Sequence, residues 1–108
     1  MFPEINVIRN QAPKAKPADE SRLGFGHLFT DHMFVMDYAD GQGWIHPAIR
    51  PYEPLSLEPS CMIFHYGQAV FEGLKAYRRP DGGINLFRPE LNFKRRRQIG
   101  RASCRERV

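Results

Sequence analysis

Polarity alternates with period two through residues 71–78. Phe71, Gly73, Lys75 and Tyr77 take one set of positions; Glu72, Leu74, Ala76 and Arg78 take the other. That alternation predicts a strand. Gly73 would leave a gap in its middle, marking a bulge or admitting a close neighbour. With Tyr66, Gly67 and Phe71 it would wall a low-bulk aromatic recess, although an ordinary core strand accounts for the same residues. Arg79-Pro80-Asp81-Gly82-Gly83 has turn composition, and residues 84–87 read as the returning strand of an antiparallel hairpin. Upstream, the apolar run Met33-Phe34-Val35-Met36 predicts a strand over 29–38, buried on both faces and joined to the same sheet. Residues 39–43 read as a hairpin turn. A second strand begins at Trp44, which Pro47 should keep short or at an edge.

The remaining pattern is less regular. Residues 1–22 are polar and carry Pro3, Pro13 and Pro17, which predicts an extended arm; residues 1–8 could pair as an edge strand. Leu23-Gly24-Phe25-Gly26 is a turn whose glycines permit positive φ. Residues 50–54 read as loop, and 59–66 as a short helix with Pro59 or Ser60 near its start. Pro89 sits where a helix begins, with 90–97 as its first turns. The class is α/β of the α+β type, mainly antiparallel sheet with flanking helices. An arm over 1–22 and a partial domain over 23–98 are expected.

Charge changes this picture only at the carboxyl end. The net charge is +4, which invites a nucleic-acid reading with Tyr66, Phe71 and Tyr77 as stacking residues. The basic residues concentrate in Lys94-Arg95-Arg96-Arg97 and in Arg101, Arg105 and Arg107. Residues 99–108, Ile-Gly-Arg-Ala-Ser-Cys-Arg-Glu-Arg-Val, read as the in-frame translation of a common sequencing-library adapter, ATC GGA AGA GCG TCG TGT AGG GAA AGA GTG. Setting aside their three arginines and one glutamate lowers the net charge from +4 to +2. Cys104 falls in the same tail, leaving Cys61 as a buried, reduced structural thiol. No secretory or membrane-spanning pattern is visible, so a reducing cytoplasm is expected, with no membrane partner.

Several chemistries lack their residues. His27, His32, His46 and His65 have no Cys or Glu at a metal spacing, so no metal site is expected. Ser56 and Ser60 lack the glycines of a nucleophile elbow. Gly24-Phe25-Gly26 lacks the third glycine of a dinucleotide fingerprint.

His65-Tyr66-Gly67-Gln68-Ala69-Val70-Phe71-Glu72-Gly73-Leu74-Lys75-Ala76-Tyr77 resembles the signature stretch of branched-chain aminotransferases, class IV (fold type IV) pyridoxal-phosphate enzymes. Phe25-Gly26-His27-Leu28-Phe29-Thr30-Asp31-His32-Met33 and Leu55-Ser56-Leu57-Glu58-Pro59 are similar to two further family segments, in the same order, so the likeness runs from about residue 13 to about residue 95. The resemblance implies the amino-terminal small domain of a longer, homodimeric enzyme. It would exchange the amino group of leucine, isoleucine or valine with 2-oxoglutarate. It further implies that Arg95 binds the pyridoxal 5'-phosphate phosphate group, and that Phe25, Tyr66 and Phe71 line the substrate side-chain pocket. The family's cofactor-bearing lysine would lie beyond Val108, leaving Lys75 as a solvent-facing strand residue and this chain with no catalytic residue of its own. D-amino-acid aminotransferases and aminodeoxychorismate lyases share the fold, but are expected to lack the combined upstream segments seen here.

Overall fold

The computed structural model describes residues 3–105, with side chains described to Arg97. Among the described residues it is an α+β protein of five strands and two α-helices, and it divides into two units, Met1–Ser56 and Leu57–Val108.

The first unit is a three-stranded sheet. Strand β1 (Asn6–Val7) runs parallel to β3 (Gly43–Pro51), which pairs antiparallel with β2 (His32–Ala39), giving the order β1-β3-β2. The turn read at 39–43 closes β2 onto β3 as expected, with the Gln42 N–H donating to the Ala39 carbonyl at 3.0 Å. The amino-terminal arm supplies the edge strand and is pinned at several points. The Asn10 N–H donates to His32 Nε2 at 3.0 Å, and the Lys14 N–H to Asp31 Oδ1 at 2.9 Å. Lys14 Nζ reaches the carbonyls of Phe29 and Thr30, both at 3.3 Å, and lies 5.1 Å from the Tyr52 ring centroid. Phe29 stacks on the same Tyr52 ring at 5.8 Å. Between arm and sheet lies one turn of 3-10 helix, Glu20–Arg22, whose N-cap Asp19 accepts from the Ser21 backbone.

Two expectations for this unit are corrected. Pro47 does not shorten β3 or place it at an edge: the strand runs nine residues, through Pro51, and is central in its sheet. The register explains how. Val35 pairs with Ala48 and Asp37 with Ile45, so two residues of β3, His46 and Pro47, stand opposite Met36 alone. This bulge takes Pro47, which has no N–H, out of the ladder. It also drives His46 into the left-handed region at φ 55°. β2 is also not buried on both faces; its residues are half-buried or exposed. Among the described residues only Pro47 is buried, and no hydrophobic core forms.

The second unit opens with helix α1 (Met62–Tyr66), close to the predicted place. Cys61 is its N-cap and carries a free, half-buried thiol rather than a buried one. His65 Nε2 donates to the Pro59 carbonyl at 2.7 Å, tying the helix to the turn before it. Gly67 caps the carboxyl end in the left-handed region. The antiparallel hairpin is present but shorter than the pattern implied. β4 (Ala76–Arg78) pairs with β5 (Ile84–Leu86), from Ala76 opposite Leu86 to Arg78 opposite Ile84. Its turn is built around Asp81, whose Oδ1 accepts from the Gly83 N–H at 2.9 Å and from Arg79 Nε at 3.1 Å. Gly82 takes φ 86°, where an L side chain would be strained.

Residues 71–75, read as the first half of that strand, lie outside it. The returning arm ends at Leu86, Arg88 turns at φ 44°, and Pro89 starts a helix, so 71–75 have no strand to pair with. Gly73 is accordingly not a mid-strand gap, and exposed Lys75 precedes β4 instead of lying in it. Nor do these strands share a sheet with residues 29–38, because β2 pairs locally with β3 across its own hairpin turn. Helix α2 (Pro89–Arg105) begins at the expected proline, with Glu90 in its first turn. Its backbone continues past Arg97 into the segment read as an adapter translation. Alanine and arginine favour helix whatever their origin. The side chains of 98–108 lie outside the described residues.

Candidate functional site

Arg95 is set by α2, and what it meets is Glu72. Arg95 Nε donates to Glu72 Oε2 at 2.8 Å, and Arg95 Nη2 donates to Glu72 Oε1. Asn92, one helical turn earlier, shares the face of Arg95. Its Nδ2 donates to Glu72 Oε1 at 3.0 Å and to the Gly73 carbonyl at 2.7 Å. The unpaired stretch 71–75 is thus fastened to the helix by side chains rather than by a ladder.

The electrostatics follow from this geometry. Hydrogen bonds from Arg95, and then from Asn92, hold the Glu72 carboxyl down at about 2, well below its ordinary 4.5. The same carboxylate raises Arg95 above its usual value. Glu72 has only 11% of its side chain exposed, whereas Arg95 keeps 62%. A guanidinium has five N–H donors. Glu72 takes the Nε edge, and among the described residues it is the carboxylate that pairs with Arg95. Among the described residues the other edge of the fork makes no hydrogen bond, and a planar cation with paired donors suits a phosphate.

The apolar candidates are all presented to solvent. Phe25, in the first unit, is 89% exposed on a bend between Gly24 (φ 68°) and Gly26 (φ 74°). In the second unit, Tyr66 ends α1 at 69% exposure, and Phe71 stands at 79% just before Glu72. Tyr66 and Phe71 make no ring contact with each other among the described residues. Sequence reasoning missed Glu72 and Asn92. Two signals were available: a lone carboxylate in residues 59–74, which hold no other Asp, Glu, Lys or Arg, and the i, i+3 spacing of Asn92 and Arg95 on a helix.

Known proteins resemble much of the chain. No protein-family model matches the chain. Branched-chain-amino-acid transaminase 1 of Bacillus subtilis (strain 168) is 67% identical over 82 residues, covering 76% of this chain and 23% of that protein. Branched-chain-amino-acid aminotransferase 2 of the same organism is 53% identical over 100 residues, 93% of this chain and 27% of that protein. The cytosolic branched-chain-amino-acid aminotransferase of Saccharomyces cerevisiae is 46% identical over 90 residues, 83% of this chain and 24% of that protein. The chain spans about a quarter of the length of the curated relatives it matches, with 23% to 27% of each covered. Identity of this order across bacterial and yeast proteins means that the chain belongs to the branched-chain-amino-acid aminotransferase family, as a stretch of a longer member.

Proposed function

We propose that this chain is the amino-terminal part of a fold type IV branched-chain-amino-acid aminotransferase. The full-length protein passes the amino group of leucine, isoleucine or valine to 2-oxoglutarate. The observation that carries this reading is the 67% identity to a branched-chain-amino-acid transaminase over 82 residues. A cytoplasmic homodimer serving branched-chain amino-acid biosynthesis belongs to the same reading, on the strength of the family likeness.

Pyridoxal phosphate, when bound, supplies the electron sink that amino-group transfer requires. This chain's part is to bind and to shape. Arg95 holds the phosphate through the edge of its guanidinium that Glu72 leaves open. The exposed fork fits that group: it offers fixed charge with several donors to a dianion. Phe25, Tyr66 and Phe71 supply apolar surface. Branched aliphatic side chains carry no polar handle, so contact area and shape alone recognise them. One methylene more or less changes such binding by only about 1–3 kcal/mol, so all three branched substrates are accepted.

The test uses the full-length protein with two substitutions. Arg95→Ala should weaken cofactor retention by roughly tenfold or more for every substrate alike, since it removes a charge-assisted contact. Phe71→Ala should lower kcat/KM for leucine and valine while sparing cofactor affinity and turnover of glutamate. Unchanged cofactor affinity in Arg95→Ala, with its loss in Phe71→Ala, would reverse these roles.

A further inference from the structure

Glu72 is far more enclosed than the Arg95 it pairs with, 11% against 62% of the side chain exposed, and the cluster has a direction. Its carboxylate receives three N–H groups: two from Arg95 and one from Asn92. The Asn92 amide is itself fixed, because it also donates to the Gly73 carbonyl at 2.7 Å. Arginine has a long, flexible side chain, and a ligand that met it unrestrained would bear the entropy of ordering it. Here the ordering is done beforehand. The carboxylate engages Nε and one N–H of Nη2, leaving three of the five donors, two on Nη1 and one on Nη2, along the outer edge.

We propose that Glu72, braced by Asn92, is a positioning residue for Arg95, holding the guanidinium side-on so that its outer edge meets the cofactor phosphate. This rests on the reading of Arg95 given above. The opposite effect is physically available, since a carboxylate that competes with phosphate for the same cation would weaken binding, and the two differ in sign.

The experiment measures, in the full-length protein, dissociation constants for pyridoxal phosphate and for pyridoxal, which lacks the phosphate. The variants are Glu72→Gln, Asn92→Ala and Arg95→Ala. Positioning predicts that Glu72→Gln weakens pyridoxal phosphate by roughly tenfold and leaves pyridoxal within about twofold, because only the charge-assisted phosphate contact is disturbed. Asn92→Ala should act in the same sense by about threefold, since it removes one neutral brace. Equal weakening of both ligands would mean a general scaffold role, and tighter phosphate binding in Glu72→Gln would mean competition; either overturns the proposal. Where Arg95→Ala abolishes the preference for the phosphorylated ligand but Glu72→Gln and Asn92→Ala leave it unchanged, the positioning role alone fails. Where Arg95→Ala leaves that preference intact, the assignment of Arg95 fails first. Should Glu72→Gln not fold, Asn92→Ala decides by the same ratio.

Discussion

At the scale of single residues, the informative feature is a carboxylate whose partners were not adjacent in sequence. Glu72 and Arg95 are 23 positions apart, and a pattern of alternating polarity treats Glu72 as one more outward-facing strand position. A resemblance singled out Arg95 as a candidate; its tie to Glu72 was not legible, because pairing at that separation depends on the route of the chain. The depressed carboxyl gives a pH prediction. The folded value, about 2, lies below the ordinary 4.5. The pairing therefore stabilises the fold fully above about 4.5 and loses that contribution as pH falls towards 2. In the full-length protein carrying ¹³C-labelled glutamate, Glu72 should remain ionised at pH 3.5, and Arg95→Ala should return its midpoint towards 4.5. A midpoint that stays low without Arg95 would show that the cause lies elsewhere.

Among the elements, local chemistry was readable and pairing was not. The hairpin turns at 39–43 and 79–83, the proline that opens α2 and the short α1 all depend on a few adjacent residues, and the structure has each of them. The extents of strands depend on partners. Residues 71–75 alternate correctly for a strand, but β5 is only three residues long and cannot reach them. Pro47 was read from its missing N–H alone, which forbids a regular central position; the structure keeps it central by inserting a bulge. His46 bears the cost of that solution at φ 55°. Histidine tolerates this region better than branched residues do. Its contact with Asp37 at 3.5 Å joins two well-exposed side chains and adds little. His46→Val should therefore lower stability by about 1–2 kcal/mol, while His46→Asn should be close to neutral. Urea unfolding of the two variants of the full-length protein checks this. Equal midpoints would mean that the bulge relaxes and His46 carries no backbone strain.

For the whole molecule, the decisive observation is where the apolar side chains are. Phe25, Phe71 and Phe87 are 89%, 79% and 77% exposed, and no hydrophobic residue among those described is buried. Phe29 and Tyr52 at least stack on each other, and Tyr38 meets Trp44 edge-on at 5.2 Å, but these are contacts between neighbours, not a core. Exposed apolar surface of this kind favours association, and the aligned stretches cover only 23% to 27% of each relative. The lysines point the same way. A lysine that bonds covalently to a cofactor sits in an enclosed, desolvated pocket. Lys14, Lys16, Lys75 and Lys94 all stand exposed to water. The chain alone should therefore bind an apolar fluorescent dye, associate as its concentration rises, and show no leucine-dependent turnover with pyridoxal phosphate. Visible absorbance, sedimentation and a leucine–2-oxoglutarate assay on the purified chain check these together. A stoichiometric, site-specific adduct at Lys75 accompanied by turnover would place the reactive amine within these residues, and the division of labour argued for the full-length protein would then be wrong.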